Sequence, residues 1–278
     1  MCRYAAYLGP PRLLSELIYK PSNSLVHQAT DASLSQTRIN ADGFGVGWYA
    51  PEISPEPALF KDTSPVWSNY NLGDIAGKIR SGCILAHVRA ARSYDPVSRE
   101  NCHPFRRGRL LWMHNGDIPG RVRLTRQVSL LAEDTLLAQI RGNTDTELAL
   151  TLFLTHLGSS PEHDADVEQL VRALELTLAQ IVSWHVEAED ERPLELNFLV
   201  TTGSVMVASR YSFRDASCPS LHWRSYSDEA GATSVVVASE PLSKNNGWNA
   251  VPRSRVLLVT RDRAVEVRKL ELPVSSLA

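Results

Sequence analysis

Cysteine is scarce in this chain: four in 278 residues, Cys2, Cys83, Cys102 and Cys218. They are too widely spaced for a zinc knuckle and too few for a disulfide scaffold, so reduced thiols are expected, with no metal and no cofactor. Excess charge is missing too. With 29 Lys and Arg against 31 Asp and Glu, the chain offers no field to draw in nucleic acid or an anionic membrane. Only Arg106-Arg107-Gly108-Arg109 is locally basic, and it reads as a solvated loop. No apolar run reaches 18 residues, which excludes a membrane-spanning helix. Nor is there a signal peptide, because Arg3 and Arg12 flank a stretch interrupted by Gly9-Pro10-Pro11 where a continuous apolar segment would be required. Repeats, low-complexity tracts and linkers are lacking. A soluble cytoplasmic protein is expected, residues 1–278 forming one domain.

What is present is an ordinary globular composition, 43% hydrophobic and 22% charged, in a chain long enough to bury a large core. Residues 2–8 read as a strand ended by Gly9-Pro10-Pro11, 13–19 as a short helix and 21–40 as a surface loop. Gly43, Gly45 and Gly47 alternate inside an apolar run with no helix after it. That context rejects a phosphate loop and predicts a strand approached closely by other backbone. Three prolines break the pattern at 50–57, and a strand is expected at 58–61 and a helix at 71–80. Residues 83–91 form a buried strand with His87 and Arg89 on one face. A loop at 101–105 precedes the strand 110–113, which runs into His114-Asn115-Gly116-Asp117, a turn by composition. Thr144 and Glu147 fit a capping box for a helix to 157. From Val167 to Val182 the apolar residues keep helical spacing. Six short strands follow between 194 and 269. Strands, two helices, then strands again predict an α+β architecture of two antiparallel sheets with helices outside them.

The chemistry gathers at the start. If Met1 is removed, which the small side chain of Cys2 permits, Cys2 carries a thiol and a free α-amine, titrating near ~8.5 and ~8. Such a residue is a nucleophile with its own base. Taken alone, Cys2 also fits an ordinary thiol at the start of a strand.

The ordered set Cys2-Arg3, Asn40-Ala41-Asp42-Gly43-Phe44-Gly45 to Trp48-Tyr49, His87-Val88-Arg89, Asn101 to Phe105, His114-Asn115-Gly116 and Thr144-Asp145-Thr146-Glu147 resembles the class-II glutamine amidotransferases. These are N-terminal nucleophile (Ntn) hydrolases with a four-layer αββα sandwich. Asn101-Cys102-His103-Pro104-Phe105 and Ser239-Glu240-Pro241-Leu242 resemble the stand-alone members, which include the γ-glutamyl hydrolase of ergothioneine biosynthesis. The resemblance implies that Cys2 is the nucleophile and its α-amine the base, with the Asn115 side chain and the Gly116 N–H as the oxyanion hole. Substrate binding falls to Arg89, as a clamp on the α-carboxylate, to Asp145, as acceptor of the α-ammonium, and to His114 beside them. Each also has a plainer reading: a turn at 114–116, a surface ion pair for Arg89, a helix-dipole partner for Asp145. His87 and His103 read as structural.

One departure is Ala90-Ala91 after Arg89, where many synthase-linked members have Trp. It implies a wider acceptor side. The expected activity is cleavage of a γ-glutamyl amide through a thioester on Cys2. With no synthase segment in the remaining residues, the expectation is a small-molecule γ-glutamyl substrate hydrolysed outright. The alternatives are ammonia delivery to a synthase partner in trans, or a non-catalytic Ntn relative that only binds such a ligand.

Overall fold

The computed structural model describes residues 2–35, 37–92, 96–158, 165–213, 218–244 and 246–272. Met1 lies outside them. In chain order the strands are β1 (Arg3–Leu13), β2 (Phe44–Ala50), β3 (Ser54–Asp62), β4 (Arg80–Val88), β5 (Phe105–Arg107), β6 (Leu110–Asp117), β7 (Leu194–Thr201), β8 (Met206–Arg210), β9 (Ser212–Phe213), β10 (His222–Ser227), β11 (Thr233–Ala238), β12 (Asn249–Ala250), β13 (Arg255–Val259) and β14 (Val265–Lys269). The helices are α1 (Leu14–Ile18), α2 (Leu25–Thr30), α3 (Tyr70–Ala76), α4 (Arg121–Leu131), α5 (Asp134–Leu137), α6 (Asp145–Leu157) and α7 (Val167–Glu187).

Two seven-stranded sheets result. One runs β12-β10-β11-β1-β4-β2-β3, the other β14-β13-β8-β7-β6-β5 with β9 also on β7. All the pairings are antiparallel. The alternation of side chains along each strand sorts the core into three sandwiched clusters. Ala5, Tyr7, Ile84 and Val88 pack against Leu14, Leu25 and Leu72 of α1–α3. Tyr4, Ala6 and Leu8 meet Leu111, Met113 and Leu199 between the sheets. Trp112, Phe198 and Val200 pack against Phe153, Leu174 and Leu178 of α6 and α7. The order is therefore helices, sheet, sheet, helices, the αββα arrangement expected.

Several local expectations are corrected. β1 does not end at Gly9: it continues to Leu13 past a register shift between Leu8 and Arg12. Its pairing with β11 stops at Leu8, so Pro10 and Pro11 withhold no ladder hydrogen bond there. Of the prolines of 50–57, Pro51 lies in the turn after β2, and Pro55 and Pro57 sit in β3, an edge strand where a missing donor is harmless. The loop 21–40 contains α2, capped by Ser24 and held by buried Leu25 and Ala29. α3 ends at Ala76, and Arg80 already belongs to β4. Most consequential for the site, 114–117 is no turn. His114 to Asp117 extend β6 and pair with Phe198 to Glu195 of β7.

Thr144 caps α6 as expected, accepting from Glu147 N. The reciprocal half of the box is absent, because the Glu147 carboxylate accepts instead from Arg141 N, Gly142 N and Arg107 Nη2. The complete capping box belongs to α7, between Asp166 and Gln169. The alternate glycines of β2 behave as expected: a Cβ on Gly45 would stand 2.2 Å from His103 O, and one on Gly47 would meet Leu111 and Pro104. β2 can thus lie against the 102–104 segment that leads into β5.

Candidate active site

Cys2 precedes β1 and continues the alternation that turns Tyr4, Ala6 and Leu8 toward the other sheet. It is half-buried, with its Sγ 3.7 Å from Ala90 O just past β4. From the facing sheet, β6 sends Leu111 and Met113 into the same layer, so Asn115 and Asp117 follow on that face. Asn115 is fully buried. With its amide oriented so that oxygen faces donors and nitrogen faces acceptors, Nδ2 donates to Cys2 O at 2.8 Å, and Oδ1 accepts from Arg3 Nη1 at 3.1 Å and Ser239 Oγ at 3.3 Å. Two sheets thus bring Cys2 and Asn115 into direct contact.

Gly116 stands opposite Leu196. Leu196 gives its N–H to Tyr211 O at 2.8 Å, away from β6, so this is a non-hydrogen-bonded pair and the Gly116 N–H points off the other edge of β6. On that edge β5 pairs only as far as Trp112; farther along, His114 N is met by His103 Nδ1 at 3.5 Å. A side chain at Gly116 would collide with Glu195 O, 2.1 Å from an added Cβ. Close packing demands glycine here, with no positive φ involved.

Arg89, just past β4, is 3% exposed. Its backbone is fixed by Gly43 O and Asp42 N, and Asp42 also accepts from Ala91 N. Its Nη1 donates to Pro96 O, a carbonyl that also accepts from Asn101; Asn101 and Asn143 exchange two hydrogen bonds. Arg89 is therefore tied through 96 and 101 to the segment that opens α6. Asp145, in the first turn of α6, accepts from Ile118 N at 2.9 Å. A cavity of about 800 Å³ lies there, lined by Asp117, Asp145, Ile118 and Arg121 among others; Cys2 is not on its wall.

The structure places His114 elsewhere than expected. Its ring lies on the helix side of β6 against Phe198. Nε2 donates to Glu195 O at 3.0 Å, and Nδ1 lies 3.1 Å from Thr146 Oγ1, whose single proton goes either to Nδ1 or to Asp145 Oδ1, 3.1 Å away. His114 thus packs behind the Asp145-Thr146 step and does not face Cys2. His87 donates Nε2–H to His114 O at 3.2 Å, and its ring lies 4.1 Å from that of His103. Burial depresses His87 to about 3 and pulls His103 and His114 down as well, Asp145 opposing the shift at His114. These rings are neutral packing and hydrogen-bonding groups.

Burial pushes the Cys83 thiol up to about 12 and raises that of Cys102, Lys61 opposing the latter. Neither is suited to act as a thiolate nucleophile. No cluster of three or more His, Cys, Asp or Glu able to hold a metal ion occurs among the described residues, and no described helix is long and apolar enough to cross a membrane.

Sequence reasoning gave no role to three residues around Cys2: Arg3, Ser239 and Glu240. Arg3 and Glu240 are fully buried and paired, Nε to Oε1 2.9 Å. Burial lowers the Arg3 pKa, with Glu240 opposing. Ser239 accepts from Tyr4 N, and its own N–H goes to Tyr4 O. Cys2-Arg3 and Ser239-Glu240 both stood out as motifs, but nothing in the sequence showed that chain closure joins them.

Comparisons with known proteins bear on the family and the fold. Residues 17–215 match the family model of class-II glutamine amidotransferases. The chain is 36% identical to the probable glutamine amidotransferase DUG3 of Saccharomyces cerevisiae, over 94% of this chain and 82% of that one. It is 27% identical to the γ-glutamyl-hercynylcysteine sulfoxide hydrolase of Mycolicibacterium smegmatis, over 97% and 100%. Among solved structures, a glutamine aminotransferase class-II domain protein from Silicibacter pomeroyi superposes with a TM-score of 0.67 at 27% identity, over 97% and 100%. The PRPP amidotransferase of B. subtilis shares the fold, at 15% identity and a TM-score of 0.61, over 98% of this chain and 50% of that one. This chain belongs to the class-II glutamine amidotransferases and is an amidohydrolase.

Proposed function

We propose that this protein hydrolyses γ-glutamyl conjugates through a thioester on Cys2, its α-amine freed by removal of Met1. The thiol proton passes to the amine as Sγ attacks the γ-carbonyl carbon. The tetrahedral oxyanion is met by Asn115 Nδ2–H and Gly116 N–H, and the ammonium then protonates the departing amine. Water, activated by the same amine, attacks the thioester, and γ-carboxylate and free thiol are regenerated. Arg89 reads the substrate's α-carboxylate, since no hydrogen bond of its guanidinium beyond the one to Pro96 O is found among the described residues and a planar fork suits a carboxylate. Asp145, backed by Thr146 and His114, takes the α-ammonium.

The observation that carries this reading is the Asn115 amide lying on the Cys2 carbonyl, nucleophile residue and oxyanion donor arriving from different sheets. A preference for conjugates over free glutamine is supported by small Ala90 and Ala91 beside the clamp, which leave room for a larger amine, and by the sulfoxide hydrolase relative. The whole chain acts as one unit in the cytoplasm.

Treatment with a glutamine-like diazo ketone should give one adduct by intact mass, mapped to Cys2; an adduct on Cys83, Cys102 or Cys218 rejects the nucleophile. The purified protein should show a higher kcat/KM for a bulky γ-glutamyl amide than for glutamine. Glutaminase activity that appears only when a partner protein is added would point to a subunit delivering ammonia in trans.

A further inference from the structure

We propose that the buried Arg3–Glu240 pair is a positioning device for the oxyanion donor: Arg3 decides which end of the Asn115 amide faces the nucleophile, and Glu240 holds Arg3 in place. The inference rests on Asn115 being the donor assigned above. An amide's two ends are nearly equal in size and opposite in hydrogen-bonding sense. Turned over, Asn115 would present a carbonyl oxygen to the developing oxyanion and repel it. Packing alone cannot prevent that turn, so the choice falls to the neighbours.

Ser239 is a weak selector, because a hydroxyl both donates and accepts. One of its two acceptor lone pairs takes Tyr4 N at 3.1 Å, and its proton is free for Asn115 Oδ1. Arg3 is a strong selector. A guanidinium carries five N–H groups and no acceptor, so Nη1, 3.1 Å from the amide, admits only Oδ1. The same Nη1 donates to Cys2 O at 3.0 Å, and Cys2 O accepts from Nδ2. One guanidinium thus spans the nucleophile residue and the donor residue. The second Nδ2–H remains for the substrate.

Glu240 makes this position rigid. Its Oε1 takes Arg3 Nε at 2.9 Å and Leu34 N at 3.0 Å; its Oε2 takes Ser33 N at 3.1 Å and Ser33 Oγ at 2.7 Å. Stability does not account for the pair. Both side chains are fully buried, Arg3 Nε–H is poorly aimed, and Nη2 has no partner among the described residues. An incompletely satisfied buried ion pair is a poor source of folding energy. A group of fixed charge and fixed donor sense beside the reacting residue is what this arrangement does supply.

The test is a double-mutant cycle on the full chain, with intact mass confirming Met1 removal in each variant and kcat and KM measured on a γ-glutamyl anilide. Arg3→Met should lower kcat by about 10–10²-fold, approaching the loss of an oxyanion donor, with KM within about threefold. Arg3→Lys, also a donor-only cation, should recover most of the loss. In the Asn115→Ala background Arg3→Met should cost less than about a further twofold, because a donor already removed cannot be misaligned. An equal loss in both backgrounds, or no loss in either, overturns the inference alone. A normal kcat for Asn115→Ala itself overturns both the inference and the oxyanion assignment beneath it. Should Arg3→Met not fold, Glu240→Gln takes its place in the cycle, with a smaller loss of kcat expected that again disappears with Asn115→Ala.

Discussion

Among the described residues the fold buries two Arg–Glu pairs, and they are built differently. Arg107 and Glu147, 10% and 2% exposed, meet at 2.7 Å. Glu147 also accepts from Arg141 N and Gly142 N, and Arg107 donates to Gln139 O and Arg106 O. That pair ties the 139–142 segment to the start of α6. Arg3 and Glu240, both fully buried, leave guanidinium nitrogens without a partner among the described residues and stand beside Cys2, the proposed nucleophile. The same two side chains thus serve as a structural tie in one place and, in our reading, as a selector of amide orientation in the other. Burial and charge alone do not separate the two roles; what each spare donor touches does.

The sharpest way to break that contrast is to delete each carboxylate. Glu240→Ala leaves the Arg3 charge buried and unpaired, so stability should fall by about 3–5 kcal/mol and kcat per folded molecule by at least about 10-fold. Glu147→Ala should destabilise by a comparable amount but act on KM, through displacement of Asp145, with kcat within about threefold. Urea unfolding with active-site titration separates the two quantities; a matching collapse of kcat in Glu147→Ala would erase the distinction. Next in size, Arg89→Lys keeps the charge but loses the fork, and KM for a γ-glutamyl substrate should rise about tenfold with little change in kcat. An unchanged KM would remove Arg89 from the binding site.

Much of the candidate site was legible because its parts are carried by motifs, and the structure places Cys2 just before β1, Arg89 just past β4, Asn115 and Gly116 at the end of β6 and Asp145 at the start of α6. The sheets themselves followed from alternation of apolar residues. Illegible features depended on partners far along the chain. Asn115-Gly116 reads as a turn until β7 supplies Asn197 opposite it. Pro10, Pro55 and Pro57 read as breakers until the topology shows each without a neighbour needing its N–H. The six or so residues of α2 are too few for periodicity to announce, and the helix exists because Leu25 and Ala29 meet the first sheet. His114, expected among the substrate-binding residues, has its ring on the helix side of β6 against Phe198, which could not be read in advance because a turn has no alternation from which to assign a face.

A third set of buried polar groups extends the comparison to pH. His87 has a folded-state value of about 3 against an ordinary ~6.5, and His103 and His114 shift the same way. As pH falls the unfolded chain binds these protons first, so stability present above pH ~6.5 should be lost between about 6.5 and 3. Thermal unfolding across that range checks the sign, and His87→Gln, which retains a donor for His114 O but does not titrate, should flatten the slope. The smallest effect should come from an exposed pair, Arg38 and Asp31, 71% and 45% exposed. Arg38→Ala is expected to change stability by no more than about 0.5 kcal/mol, most of it vanishing in high salt.

An Asn-Gly step is the dipeptide most prone to chemical ageing, since an unhindered glycine nitrogen can attack the asparagine carbonyl, close a succinimide and release Asp or isoaspartate. In a mobile turn that clock runs freely. Here Asn115 is fully buried and the step is held extended in β6, paired across to β7, with the Gly116 nitrogen directed off the strand edge and away from the side chain. Ring closure would require the strand to be opened first. The composition that looked like a flexible corner is therefore locked against its own decay, and the protein keeps the amide on which the oxyanion role proposed for Asn115 depends.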